Sequence, residues 1–157
     1  MRDPIPPALA RSPAEAAELV CLAVSDGDLE AGLAQYEAGG VLRPWAAGAD
    51  DGTAAGGPIT VDVIARELTA LMEFRLPLAL HVTAIVGGNG LALVLAERYL
   101  RGTAPDGHLL HLSGSGASVV RRGPDRYWRI AADAWCLAPG DSPQPPGGFP
   151  RADRESG

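Results

Sequence analysis

Tyr127-Trp128-Arg129-Ile130-Ala131-Ala132-Asp133-Ala134-Trp135 is the stretch on which the fold turns. Its aromatic and β-branched content and its length are those of a strand. It follows the turn residues Gly123-Pro124-Asp125 and is followed by a Pro- and Gly-rich tail, so it reads as the last strand of a domain. Working back, 108 to 122 and 91 to 103 read as strands separated by Pro105-Asp106-Gly107. Residues 78 to 86 form a fourth strand, joined to the next by Gly87-Gly88-Asn89-Gly90. Four strands in a row joined by short turns predict an antiparallel meander over the second half of the chain.

Before residue 77 the apolar period is near 3.6 instead of 2. Ser12-Pro13-Ala14-Glu15 opens a helix: Ser12 is a cap, Pro13 suits the first helical position, and Glu15 is placed to reach back to the Ser12 amide. Ala16, Leu19, Val20, Ala23 and Val24 then form its buried face. Asp26-Gly27 ends it, and Asp28 caps a second, shorter helix carrying Leu29, Leu33 and Tyr36, which Gly39-Gly40 stops. Val41 to Trp45 is a short strand that Pro44 assigns to an edge or a strand end. Residues 46 to 57 read as a loop, and Thr60 caps a third helix with Ile64, Leu68, Leu71 and Met72 on one stripe. The expected fold class is α+β: three N-terminal helices packed on a curved, mainly antiparallel sheet, a cone-shaped half-barrel enclosing a pocket. Residues 1–11 are expected to be a flexible arm, 12–136 the folded domain and 137–157 a disordered tail.

Composition narrows the function. At 157 residues the chain suits one domain with one core. All 13 basic residues are Arg and Ala, Gly and Pro abound, the coding bias of a GC-rich, bacterial genome. Nineteen carboxylates give a net charge of −6, which leaves no broad basic face for phosphates, so no nucleic-acid partner is expected. Met1-Arg2-Asp3-Pro4 has an acid and a proline where a secretory signal carries apolar residues, and no apolar run is long enough to span a bilayer. The expectation is a cytoplasmic protein without a membrane partner. Cys21 and Cys136 lack a C-x-x-C spacing and read as buried free thiols.

Four pieces of the sequence resemble the nuclear transport factor 2-like superfamily, within it the SnoaL-like branch of small polyketide cyclases and proteins of unknown activity. They are Asp26-Gly27-Asp28 with Tyr36 eight residues beyond Asp28, the loop-to-helix stretch 56 to 72, the segment Gly102-Thr103-Ala104-Pro105-Asp106-Gly107, and Arg121-Arg122 with Trp128-Arg129-Ile130. The resemblance covers about residues 12 to 136, most of a domain of the usual size. It implies a cone-shaped domain with an internal pocket and a homodimer built on the outer sheet face. It also implies chemistry ranging from isomerases, cyclases and dehydratases to subunits without catalysis, so function has to be argued from the site. Many SnoaL-like relatives carry His at positions matching Ala132 and Ala134, and their absence here counts against catalysis.

Candidate site residues follow from strand faces. Strict alternation puts Trp128, Ile130, Ala132 and Ala134 on one face of the last strand, toward the helices, and Arg129, Ala131, Asp133 and Trp135 on the other. Asp133 is the candidate general base, a carboxylate within an apolar strand, and it reaches the cavity only if a β-bulge or a strand-end twist turns it. Without one, Asp133 lies on the convex face and pairs with Arg across a dimer interface. On 91 to 103, Ala92, Val94, Ala96, Arg98 and Leu100 share one face and Glu97, Tyr99 and Arg101 the other. Arg98 would hold an enolate or other anionic oxygen if its face is concave; otherwise Glu97 and Tyr99 point inward. Either set also suits a solvated cross-strand pair. Tyr36 and Trp45 are placed to line a pocket mouth and stack on a flat ligand, or to pack in the core. His81 is a pocket acid/base or a structural histidine.

Asp133, Arg98 and Tyr99 are thus the candidate catalytic residues, and Tyr36, Trp45, His81 and Glu97 the candidate substrate contacts. No cofactor is expected, and no metal, because His108 and His111 point to opposite faces. Ser113-Gly114-Ser115-Gly116 lacks the first glycine and the strand-to-helix turn of a nucleophile elbow, and the glycines at 87 to 90 precede a strand instead of a phosphate-binding helix. The expected partner is a small apolar, cyclic metabolite, isomerised, cyclised or dehydrated by proton transfer. The alternative is a non-catalytic homodimer that binds a ligand or another protein.

Overall fold

A computed structural model describes residues 5–44, 61–135 and 137–140. Helix α1 spans Pro13–Asp26, with the Glu15 amide donating to Ser12 Oγ at 3.3 Å. The Glu15 carboxylate accepts from the Arg11 amide at 2.6 Å, one residue earlier than the expected Ser12 amide. Gly27 closes the helix in the left-handed region, φ 71°, where a side chain would be strained. Asp28 caps α2, Leu29–Leu33, by accepting from the Ala31 amide at 3.0 Å. The buried face of α1 is Ala16, Ala17, Val20, Cys21, Ala23 and Val24. Val20, Val24 and Cys21 enter the same core as Ile64 and Leu68 of α3, Val61–Met72.

Strand β1 is Tyr36–Pro44, five residues longer at its start than Val41, the expected first residue. Tyr36 therefore opens a strand and does not end helix two. Gly39 and Gly40 read as a helix stop because glycine lacks β propensity. Gly40 suits the strand because it passes close to β5, where a Cβ would meet the Ile130 carbonyl oxygen at 3.1 Å, too close for most side chains. β1 runs parallel to β5, so the sheet is mixed at that edge.

The meander is as expected: β2 Leu78–Gly88, β3 Leu91–Thr103, β4 Leu109–Arg122 and β5 Trp128–Trp135, in the order β1-β5-β4-β3-β2. The β2–β3 turn shrinks to Asn89 and Gly90, both at positive φ (54° and 80°), as the twist of a tight hairpin demands. The segments flanking the domain are partly engaged. Ala10 is fully buried and its carbonyl accepts from the Trp128 amide at 2.8 Å. Ala138–Pro139 forms a short strand, β6, paired with Leu112 and Ser113 of β4.

Cross-strand partners share a face, so one row of residues lines the inner side of the sheet. On β3 it is Ala92, Val94, Ala96, Arg98 and Leu100, all buried. Their partners on β4 are Val120, Ser118, Gly116, Gly114 and Leu112. The row continues onto β5 only because the register slips by one residue. Val120 faces Ile130, but Val119 faces Ala132, so Ala131 is an extra residue in a β-bulge. The curved, unclosed sheet with helices against its inner face is an α+β half-barrel.

Candidate functional site

The bulge at Ala131 decides the site. Ile130 faces inward before it and Asp133 and Trp135 face inward after it, while Ala134 is exposed. The strict alternation that put Asp133 and Trp135 on the convex face is therefore overturned. The missing histidines at 132 and 134 lose their weight too, because the inward positions next to the core are 133 and 135.

Asp133 is 3% exposed and Arg98 1%, a carboxyl and a guanidinium inside an apolar sheet-and-helix core. A buried charge is tolerated only with partners, and Asp133 has three donors. The Tyr36 hydroxyl and the Trp135 indole N–H both donate to Oδ2 at 2.9 Å, and the Ser118 hydroxyl donates to Oδ1 at 2.6 Å. Arg98 Nη2 stands 3.9 Å from Oδ1, close enough for attraction and too far for a hydrogen bond. The Arg98 guanidinium carbon lies 4.8 Å from the centre of the Trp135 ring, a cation–π stack. Among the described residues Arg98 Nε and Nη1 have no hydrogen-bond partner. Buried N–H groups without acceptors are rare in folded proteins and mark places where a water, ion or ligand oxygen belongs.

Each side chain is delivered by a different element. Tyr36 comes from the start of β1, Arg98 from mid-β3, Ser118 from β4, and Asp133 and Trp135 from the end of β5. Glycines make the room. Gly114 pairs with Arg98 and Gly116 with Trp135, and a Cβ on Gly116 would collide with the Cβ of Trp135. The Ser-Gly-Ser-Gly run rejected as a nucleophile elbow is thus a floor for two large side chains.

Cys21 of α1 lies under the same cluster. Burial pushes its thiol up from 9.0 to about 11, against the opposing pull of the Arg98 charge. Burial, then the negative Asp133, holds the Tyr36 hydroxyl well above its usual 10.0. Both groups keep their protons longer in the folded chain than in the unfolded one. Their stabilising contribution is full below pH 9 and is lost as pH rises through the range from 9.0 to about 11 and beyond. Denaturant midpoints are expected to fall over that range, and Tyr36→Phe is expected to flatten the fall. An unchanged slope in Tyr36→Phe would show that its hydroxyl is not held in this way.

The structure thus brings together three of the expected site residues, Asp133, Arg98 and Tyr36. It adds Ser118, Trp135 and Cys21, which the sequence reading had not placed there. Tyr99, Glu97 and His81 lie on the opposite face. The Tyr99 hydroxyl donates to Glu97 at 2.6 Å, a bond that raises the Tyr99 pKa, and exposed His81 sits across from Glu97. The sheet separates them from Asp133. Trp45 and the Thr60 cap lie outside the described residues. An open cleft of about 310 Å³ between the end of α3 and the β3–β4 turn, lined by Phe74, Glu73, Pro105, Asp106, His108 and Leu110 among others, contains none of the cluster's residues. Among the described residues no three His, Cys, Asp or Glu side chains converge as a metal site would require. No described helix is long and apolar enough to cross a membrane.

No protein-family profile and no curated protein matches the chain. Solved structures do. A ketosteroid isomerase-like protein from Erwinia carotovora atroseptica superposes with a TM-score of 0.63 at 18% identity, over 83% of this chain and 94% of the other. An NTF-2 like protein of unknown function from Shewanella oneidensis matches at 0.58 and 18%, over 78% and 94%. An ntf2-like protein with a cystatin-like fold from Novosphingobium aromaticivorans matches at 0.61 and 16%, over 78% and 77%. The chain has the nuclear transport factor 2-like fold, an α+β half-barrel.

Proposed function

We propose that the chain is a small-molecule pocket protein of the SnoaL-like type whose site is the Asp133–Arg98 cluster. In the catalytic form of this reading it is a cofactor-independent isomerase, cyclase or dehydratase acting on a mainly apolar, cyclic metabolite. Asp133 takes a proton from the substrate, and Arg98 holds the oxygen on which negative charge develops. The observation that carries the reading is Arg98 itself. It is a fully buried guanidinium with two nitrogens, Nε and Nη1, whose N–H groups no described residue accepts, beside a buried carboxylate. A site that only stabilised the fold would be expected to close those bonds. Tyr36 and Ser118 hold the carboxylate in place. The name of the Erwinia relative, ketosteroid isomerase-like, agrees with proton-transfer chemistry on this fold.

One observation favours a second reading, a non-catalytic homodimer that binds a ligand or a partner. Asp133 already accepts three hydrogen bonds, which leaves a base only one of the carboxylate's four lone pairs, on Oδ1. Exposed Val86 and Leu91, on the outer face of the sheet at the β2–β3 hairpin, offer apolar surface for such contacts. Asp133→Asn separates the two readings, since Asn keeps an acceptor and the side-chain shape but cannot act as the base. Turnover of any substrate is expected to be lost, with the far-ultraviolet circular dichroism unchanged. Unchanged rates would remove Asp133 from the mechanism.

A further inference from the structure

The cleft between the end of α3 and the β3–β4 turn differs in chemistry from the Asp133–Arg98 cluster. Half-buried Phe74 and Leu110 form an apolar floor, and exposed Glu73, Asp106 and His108 stand around it. Neither carboxylate has an ion-pair partner among the described residues, and Asp106 uses only Oδ1, which accepts from the His108 amide at 3.0 Å. A segment that fits here carries one large apolar side chain with a cation close behind it.

The chain itself runs toward this cleft. In β6, Ala138 lies opposite Ser113 and Pro139 opposite Leu112, and the Gly140 amide donates to the His111 carbonyl oxygen at 3.1 Å. The direction is antiparallel to β4, so the position facing the next residue is Leu110, on the cleft floor, followed by Leu109 and His108. β5 covers this edge of β4 only from Gly116 to Arg122, and Leu109 is 81% exposed. An open edge ending in an exposed leucine is a surface that further chain can cover.

Residues 141–157 lie outside the described part of the chain. Prolines apart, their one large apolar side chain is Phe149, and Arg151 follows it by two residues. The nine residues from Gly140 to Phe149 span up to about 30 Å, well beyond what the cleft requires. Pro145-Pro146-Gly147-Gly148 is a turn-forming run that lets the chain double back. We propose that this C-terminal segment docks in the cleft of its own chain, with Phe149 seated against Phe74 and Leu110 and Arg151 paired with the carboxylates of Glu73 and Asp106. A short tether that starts at the edge of the cleft gives the segment a high effective concentration there, which favours the same chain over a second copy. The inference is independent of the pocket reading, because none of the Asp133–Arg98 cluster lines this cleft.

Two measurements on the full chain test it. Trypsin cleavage after Arg151, followed by mass spectrometry, is expected to be about tenfold slower in the chain than in a free peptide of residues 141–157, because cleavage follows the undocked fraction. Phe149→Ser is expected to restore the peptide's rate. Equal rates for wild type and peptide, or protection that survives Phe149→Ser, would overturn the proposal. The second measurement locates the seat. Phe74 and Phe149 are the chain's two phenylalanines, so labelling with 4-fluorophenylalanine gives two fluorine resonances. Phe149→Ser is expected to remove one and shift the other, that of Phe74. A Phe74 resonance left unmoved would put the segment elsewhere and overturn the proposal. Mixing labelled Phe149→Ser with an excess of unlabelled wild type is expected to leave the Phe74 resonance shifted. Its return to the wild-type position would mean that a second copy supplies the segment, and would overturn the same-chain seat.

Discussion

Asp133→Ala is expected to lower the unfolding free energy by about 3–5 kcal/mol, the cost of leaving a buried partner charge uncompensated. Arg98 has no other carboxylate within ion-pair distance among the described residues, and Tyr36, Ser118 and Trp135 would each lose their acceptor as well. The double variant Asp133→Leu/Arg98→Met is expected to recover most of the loss, since apolar side chains of similar volume often replace a buried pair at little net cost. Urea denaturation of the two variants beside wild type measures both effects. A loss below about 1 kcal/mol in Asp133→Ala, the range of an exposed pair, would mean that water reaches Arg98 and that the cluster is not closed as described. The double variant should be the stabler protein of the two and, on the proposed reading, should bind nothing at this site.

Gly116→Ala carries the second large effect. The added Cβ would overlap Trp135 Cβ and approach the Ala134 carbonyl oxygen at 2.7 Å, contacts between main chains that no rotamer change relieves. Strands β4 and β5 have to part locally. The expected cost is about 1–3 kcal/mol, at the upper end because the clash involves backbone. The indole should also leave Arg98, moving tryptophan emission to longer wavelength. Gly88→Ala is the control: nothing lies within 4 Å of its Cβ position, and a change within about 0.5 kcal/mol is expected. Equal behaviour of the two variants would show that β5 does not press on β4 as described.

Much of the architecture is legible in the residues, because period and turn chemistry agree. Ser12-Pro13 and Gly27 mark the ends of α1, Asn89-Gly90 marks a hairpin, and the alternation from Ala92 to Leu100 groups Arg98 with its apolar neighbours while leaving open which face is buried. What escapes sequence reasoning turns on single residues with little signature. The bulge at Ala131 reverses every side chain after it, yet Ala131-Ala132 looks like any small pair in a strand. The start of β1 hides because Glu37-Ala38-Gly39-Gly40 carry little strand propensity and fall in the register break between the Tyr36–Ile130 and Val41–Ala132 pairs. Gly114 and Gly116 were the available signal for the site. Alternate glycines on one face of a strand mark a place where something large approaches, and here it is Arg98 and Trp135. Glu97 and Tyr99 went to the outer face by the same alternation that brought Arg98 inward.

That Arg98 and Asp133 form a ligand seat is tested most directly by native mass spectrometry of the gently purified wild-type chain beside Arg98→Met. Circular dichroism first establishes that the variant is folded. A small molecule that accompanies the wild-type protein at one per subunit and is absent from Arg98→Met is the predicted result. The same molecule retained at the same occupancy in Arg98→Met would contradict it.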